Sequence, residues 1–191
     1  MRPTHFLALR LSDKAGVAET IRTVQAALAQ HDQLWGSAVV DAKKAHFTLL
    51  TLTLATPDAE ERALQRMATL STLGGLTLQL AGLNTLDEGK VLFLDVEQGR
   101  SQLMAFANSV QRHFRAAGWK PDFPFVPHVT IAKASQLNKS QKSQMPPFDV
   151  ARLPSLTVPL VWIGELHLCK MSQERAPQLG FRHALVTAVW P

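Results

Sequence analysis

The sequence predicts an α+β domain in which helices cover the faces of sheets. Three observations predict it. Strand-like segments are interleaved with three amphipathic helical segments. Several neighbouring strand segments read as antiparallel pairs. The composition of the 191-residue chain, 46% hydrophobic and 18% charged, is that of a chain with a core to bury.

The elements follow in order. Residues 5–11 read as a first strand. Residues 14–31 read as a helix with Val17, Ile21, Val24 and Leu28 on one stripe, and Ser12 or Asp13 is its expected cap. Residues 46–54, rich in Thr and Leu, read as a second strand. Pro57 opens a helix through about Leu70, with Ala63, Leu64 and Met67 apolar, and Gly74-Gly75 is expected to stop it. Residues 76–83 and 91–96 read as a hairpin across the turn-rich stretch 84–90. Residues 101–117 read as a third helix with Leu103, Phe106, Val110 and Phe114 buried, closed by Gly118. Residues 128–133 form the next strand. The polar stretch 136–147 is expected to be a mobile loop. Residues 160–171 and 182–190 read as the last two strands, joined by a flexible loop over 172–180.

Composition narrows the functional classes. The formal charge is +5, from 20 Lys+Arg against 15 Asp+Glu, a modest excess that suits a phosphate-bearing ligand without requiring one. A single cysteine, Cys169, excludes an internal disulfide framework and any zinc finger built on paired cysteines within the chain. No apolar run approaches a membrane span, and the start lacks the apolar stretch of a secretory signal. An intracellular setting, cytoplasmic or nuclear, is therefore expected, with no membrane partner. Because the chain opens almost directly on a strand, it is expected to be one domain, spanning residues 1–191, of something longer.

Two segments carry chemistry. His46-Phe47-Thr48-Leu49 and His128-Val129-Thr130-Ile131 both read His-apolar-Thr-apolar. Residues two apart in a strand share a face, so each segment offers an imidazole and a hydroxyl together and packs its apolar pair behind them. Imidazole titrates near neutrality, so one His can act as base while its partner acts as acid. A Thr hydroxyl can donate to a phosphoryl oxygen. Two such pairs around one phosphate would move protons on both sides of phosphorus without a metal, and the two His lack the further ligands zinc wants. No cofactor is implied. A structural accident in two core strands is the plain alternative.

The paired motifs resemble the 2H phosphoesterase superfamily, whose members share the 2′-5′ RNA ligase-like fold. Pro127-His128-Val129-Thr130 is similar to its usual second motif. The stretch from Val39 to Leu50, with Asp41-Ala42-Lys43-Lys44-Ala45 before the first motif, resembles the branch of the A-kinase anchoring protein 7 central domain and activating signal cointegrator complex subunit 1. So does Leu166-His167-Leu168-Cys169-Lys170-Met171. The resemblance implies a two-lobed fold with pseudo-twofold symmetry and a central groove. It implies His46 and His128 as the catalytic pair and Thr48 and Thr130 as phosphate-binding residues. It also implies substrates carrying 2′-5′ phosphodiesters or 2′,3′-cyclic phosphates, such as RNA 3′ ends, short oligonucleotides or mononucleotides. Lys170 stands where the branch often has a small polar residue, near the base or ribose. His167 is a further candidate to line the groove.

Other residues have two readings. Phe125, in Phe123-Pro124-Phe125, offers either a surface for base stacking or packing before the second motif. Lys133, Lys139 and Lys142 are a solvated loop or a contact for flanking phosphates. Cys169 and the four tryptophans read as packing residues, and His5, His31, His113 and His183 as surface or satisfied core histidines. Two functional classes remain: a metal-independent phosphoesterase, and a module that binds a nucleotide or RNA end with little turnover. Reversal of the chemistry, ligation, is a distant third. A monomer is expected.

Overall fold

The computed structural model describes residues 2–11, 13–70, 75–120, 123–153, 156–171 and 187–189. They build two four-stranded antiparallel sheets. The first runs in the order β2-β1-β7-β8, from β1 (His5–Arg10), β2 (His46–Leu52), β7 (Glu165–Lys170) and β8 (Thr187–Val189). The second runs β5-β4-β3-β6, from β3 (Leu76–Leu86), β4 (Val91–Gln98), β5 (Val129–Lys133) and β6 (Val161–Ile163). Each sheet has a strand–helix–strand unit at its heart, β1-α1-β2 and β4-α4-β5, with α1 at Val17–His31 and α4 at Arg100–Ala116. In each unit the strand after the helix is an outer strand paired with the strand before it. The two units relate the lobes by pseudo-twofold symmetry.

The helices form where apolar residues recur every three or four positions. Val17, Ile21, Val24 and Leu28 of α1, and Leu103, Phe106, Ala107, Val110 and Phe114 of α4, are all buried. Each large apolar side chain so buried contributes roughly 1.5–3 kcal/mol. The helices reach across the molecule: α1 contacts β5 and α4 contacts β2. α3 (Pro57–Ala68) begins where the Thr56 hydroxyl accepts from the Ala59 N–H and Pro57 fills the first turn. The other two helices are short, α2 (Gln33–Ser37) and α5 (Lys139–Gln144).

Several sequence expectations are corrected. α1 begins three residues later than expected, capped by Gly16 in the left-handed region (φ +79°) and not by a side chain at Asp13; Ser12 lies outside the described residues. α3 ends at Ala68, where the N–H of Thr69 takes the Arg66 and Met67 carbonyls, so the later glycines do not end it. Gly74 lies outside the described residues, and a side chain on Gly75 would meet the Trp162 ring at 2.3 Å. The hairpin strands run longer, because Asp87 and Glu88 turn the chain with φ of 52° and 54°. The expected loop over 136–147 contains α5, held by a capping box between Asn138 and Gln141, and Met145 after it is buried.

The largest correction concerns residues 160–171. They do not form one strand. Val161–Ile163 pairs with β3 in one sheet and Glu165–Lys170 with β1 in the other, so the chain changes sheets at Gly164. A Cβ there would stand 2.1 Å from the Trp162 ring. Of the expected final strand, Thr187–Val189 is present; residues 182–186 and 190, and the expected loop 172–180, lie outside the described residues.

The main core is continuous through both lobes and includes Leu7, Leu9, Phe47, Leu92, Leu94, Val129 and Ile131. A second, small apolar cluster of Phe6, Ala8 and Cys169 lies on the other face of the first sheet. Among the described residues no helix is long and apolar enough to cross a membrane.

Candidate active site

The two His-bearing strands are built alike. β2 opens at His46, after a single 3₁₀ turn (Ala42–Lys44), and β5 follows directly on His128. His46 and Thr48 are half-buried while Phe47 and Leu49 are fully buried. His128 and Thr130 are half-buried while Val129 and Ile131 are fully buried. The alternation expected of a strand therefore holds through both motifs. The strands approach each other, with Cα atoms within 8 Å, and a bridge from Val39 to Ala132 ties the segment before β2 to β5.

Each imidazole is oriented by a backbone carbonyl two residues upstream. Nδ1 of His46 lies 2.6 Å from the Lys44 carbonyl oxygen, and Nδ1 of His128 lies 2.7 Å from that of Val126. A carbonyl only accepts, so Nδ1 carries the hydrogen in both rings. Nε2 of the neutral ring is then the accepting nitrogen. At His46 that nitrogen stands 3.1 Å from Thr48 Oγ1, whose hydroxyl donates to it. Pro127 follows Val126 and disfavours helical backbone at the residue whose carbonyl His128 uses.

A β-bulge follows each Thr. Ala8 pairs with Thr48 but Leu7 with Leu50, which leaves Leu49 as the extra residue. Phe93 pairs with Thr130 but Leu92 with Ala132, which leaves Ile131 extra. Both bulges sit three residues after the His, and they shift the alternation. Leu49 and Leu50 are buried in succession, as are Ile131 and Ala132, so Thr51 and Lys133 come to the same side as the imidazoles. The sequence puts Lys133 at the end of the strand 128–133 and leaves it either as part of a solvated basic stretch or as a contact for flanking phosphates. The signal was present as two successive apolar residues after each motif, Leu49-Leu50 and Ile131-Ala132. Burial lowers the Lys133 ammonium below the usual lysine range.

An aromatic ring backs each imidazole. Phe6 lies 5.0 Å from His46 between ring centroids, and Phe93 lies 5.8 Å from His128, edge to face. The two rings come from different register steps. Phe93 stands opposite Thr130, whereas the position opposite Thr48 is Ala8 and the ring comes from two residues earlier. Beside His46 a small pocket is lined by Phe6, Arg10, Lys43, Lys44 and Cys169, a basic rim over an apolar floor. Burial pushes the Cys169 thiol up to about 11, so it stays a neutral packing group. Among the described residues no three His, Cys, Asp or Glu side chains converge as a metal site would need.

The remaining candidates separate. His167 shares the sheet face of Ala8 and Cys169, but it is buried with Nε2 3.3 Å from Glu165 Oε2. Lys170 was expected to line the groove and does not. It pairs with His5 on the opposite face of β7, where its ammonium lies 3.2 Å from Glu60 of α3. Two residues apart share a face, and Lys170 is three from His167. Phe125 is buried in the main core and is packing, not a stacking surface; the exposed aromatic is Phe123. Lys139 and Lys142 are exposed on α5. A larger cavity, about 550 Å³, lies between the C-terminal ends of α3 and α4 around Arg62, Arg66 and Trp119, and neither His–Thr pair lines it.

A family model described as the AKAP7 2′5′ RNA ligase-like domain matches residues 3–185. The fold is similar to that of E. coli LigT complexed with 3′-AMP, at 21% identity and a TM-score of 0.68, over 98% of this chain and 97% of that one. It is similar to a structure described as a phosphoesterase, at 21% identity and a TM-score of 0.67, over 100% and 99%. The MHV ns2 PDE domain matches at 21% identity and a TM-score of 0.57, over 90% and 100%. No curated protein matches by sequence. With the family model spanning almost its whole length and two symmetric His–Thr strands within it, the chain belongs to the AKAP7 2′5′ RNA ligase-like branch of the 2H phosphoesterase superfamily.

Proposed function

We propose that this protein is a metal-independent phosphodiesterase that acts on 2′-5′ phosphodiester or 2′,3′-cyclic phosphate groups of RNA and oligonucleotides. His46 and His128 are its acid–base pair, and Thr48 and Thr130 hold the phosphoryl oxygens. The observation that carries the reading is the duplicated His–Thr arrangement, each imidazole pinned through Nδ1 so that Nε2 is the nitrogen that can exchange a proton. Structures of E. coli LigT complexed with 3′-AMP, phosphate, ATP and NADP⁺ support a phosphate-bearing ligand.

For a 2′-5′ linkage, one imidazole Nε2 takes the proton of the neighbouring 3′-hydroxyl as that oxygen attacks phosphorus. The bond from phosphorus to the 5′-oxygen breaks, and the other imidazole, protonated, gives its proton to that oxygen. The products are a 2′,3′-cyclic phosphate and a free 5′-hydroxyl. For a cyclic phosphate, water replaces the hydroxyl and the ring P–O bond breaks. One imidazole takes up a proton and the other gives one up, so the proton inventory closes without a metal. The remaining barrier lowering comes from positioning and from hydrogen bonds to the phosphoryl oxygens.

The test is a product analysis in EDTA with 2′-5′ oligoadenylate, its 3′-5′ counterpart and an RNA ending in a 2′,3′-cyclic phosphate. Cleavage of a 2′-5′ or cyclic substrate by the native protein, lost in His46→Ala and in His128→Ala, is the expected result. Nucleotide binding without cleavage of any substrate would instead identify a binding module.

A further inference from the structure

The two bulges are gripped from across the molecule. Gln111 of α4 is buried, and its side-chain amide donates to the Leu49 carbonyl of β2 at 2.8 Å. Gln25 of α1 donates to the Ile131 carbonyl of β5 at 3.1 Å, and to the Val40 carbonyl at 2.5 Å. Leu49 and Ile131 are the extra residues of the two bulges, each three residues after a motif histidine and next to a motif threonine. The pattern is reciprocal: the helix of each lobe holds the His–Thr strand of the other.

We infer that Gln25 and Gln111 are positioning residues that couple the lobes and set the aim of the opposite His–Thr pair, an inference resting on the reading of His46 and His128 as the working pair. Both strands are outer strands of their sheets: β2 has a strand neighbour on one side only, and β5 has on its outer side only the short segment Ala38–Val40. A bulge swivels the residues beside it unless its own backbone is fixed. Apolar packing alone does not fix it, because burial is non-directional. A side-chain amide on a carbonyl is directional, and burial strengthens it. At the core of α4, where Leu103, Val110 and Phe114 supply packing, an apolar residue would serve burial as well as Gln111 does. Leu49 gives the amide its partner. The two grips are unequal. The Ile131 carbonyl also accepts from the Val40 N–H at 2.9 Å, so β5 keeps one hold when Gln25 is removed.

The experiment reads the imidazoles directly. Ring Cε1–Hε1 signals of His46 and His128 are recorded for the native protein and for Gln111→Met and Gln25→Met, near-isosteric changes without a donor. The crossed result is expected: Gln111→Met shifts or broadens His46 and leaves His128, while Gln25→Met disturbs His128, less strongly, and leaves His46. Gln111→Glu guards against a variant that does not fold. Its carboxylate cannot donate, whereas its protonated form can. Relative to native protein at the same pH, the His46 signal should be displaced at pH 7.5 and close to native at pH 5. Folded variants with both rings unmoved, or with each variant disturbing only the histidine of its own lobe, would overturn the inference. So would a Gln111→Glu displacement that ignores pH. With a cleaved substrate in hand, Gln111→Met should lower kcat by about tenfold or more with KM within about twofold, the signature of misaligned reacting groups. A native protein that cleaves nothing while the crossed pattern holds fails the functional reading and leaves this one standing.

Discussion

The Nδ1 of His46 lies 2.6 Å from the carbonyl oxygen of Lys44, and this contact assigns the ring's tautomer. The same contact recurs between His128 and Val126 at 2.7 Å. Both neutral rings should therefore carry their hydrogen on Nδ1, the less common form of a free imidazole. Ring nitrogen chemical shifts at alkaline pH check it. A protonated-type Nδ1 and a bare Nε2 are expected for both, and a bare Nδ1 on either ring would break the assignment.

Thr48 separates shape from chemistry. Thr48→Val keeps the β-branched outline of a strand residue but loses the hydroxyl that stands 3.1 Å from Nε2. A hydrogen bond to a charged group is worth about 1.5–3 kcal/mol, so turnover of a phosphodiester substrate should fall roughly 10- to 100-fold. Thr48→Ser should recover most of it. Steady-state kinetics on the pair of variants decides: a larger loss in Thr48→Ser than in Thr48→Val would mean that the methyl group, not the hydroxyl, matters.

Lys133 should trade stability for ligand. Its pKa is lowered by burial, so the charged form is disfavoured in the fold. The stability that goes with this group is present above the unfolded lysine pKa and lost as pH falls through the folded value. Neutral pH lies well below the unfolded lysine pKa, so a folding cost is in force there. Lys133→Met should raise Tm at neutral pH while weakening inorganic phosphate binding, measured by titration at low salt. A lower Tm with unchanged phosphate affinity would count against both halves.

His5 governs acid sensitivity away from the motifs. It is buried on the helix side, with Nε2 3.3 Å from Glu60 and Nδ1 2.9 Å from the Thr4 hydroxyl. Burial lowers its pKa, partly opposed by Glu60, and Lys170 lowers it further. Above about pH 6.5 the ring is neutral folded and unfolded. As pH falls from there toward the lower folded value, the unfolded chain takes up a proton that the folded one refuses, and stability is lost. His5→Gln should flatten the dependence of Tm on pH over that window. An unchanged slope would assign the acid loss to other groups.

Much of this was legible in the sequence because the motif and the periodicities are local. The pairs His46/Thr48 and His128/Thr130 follow from a period of two, and the buried stripes of α1 and α4 from a period of 3.6. What escaped was set by tertiary contacts. The break at Gly164 is invisible to an apolar pattern, because Val161–Ile163 and Glu165–Lys170 are both strands and only their partners differ. Lys170 is a separate miss: three residues from His167, it lies on the opposite face of the same strand, so the two cannot line one groove together. Phe125 and Phe123 look alike in composition, and burial alone tells packing from surface. The glutamines of α1 and α4 read as ordinary polar helix positions until the bulges opposite them are seen.

The switch of sheets at Gly164 orders events in time. The second lobe's β3, β4, α4 and β5 are contiguous in the chain, so they can close upon one another as soon as they leave the ribosome. The first lobe cannot. β1 precedes every other described strand, yet its inner edge stays open until Glu165–Lys170 arrives to fill it. Joining the earliest strand to one of the latest makes loop closure the slow event in folding. Until then β1 presents an unpaired apolar edge, the surface on which nascent chains cross-pair. The sheet that carries His46 and Thr48 is thus completed only when β7 has come back to pair with β1.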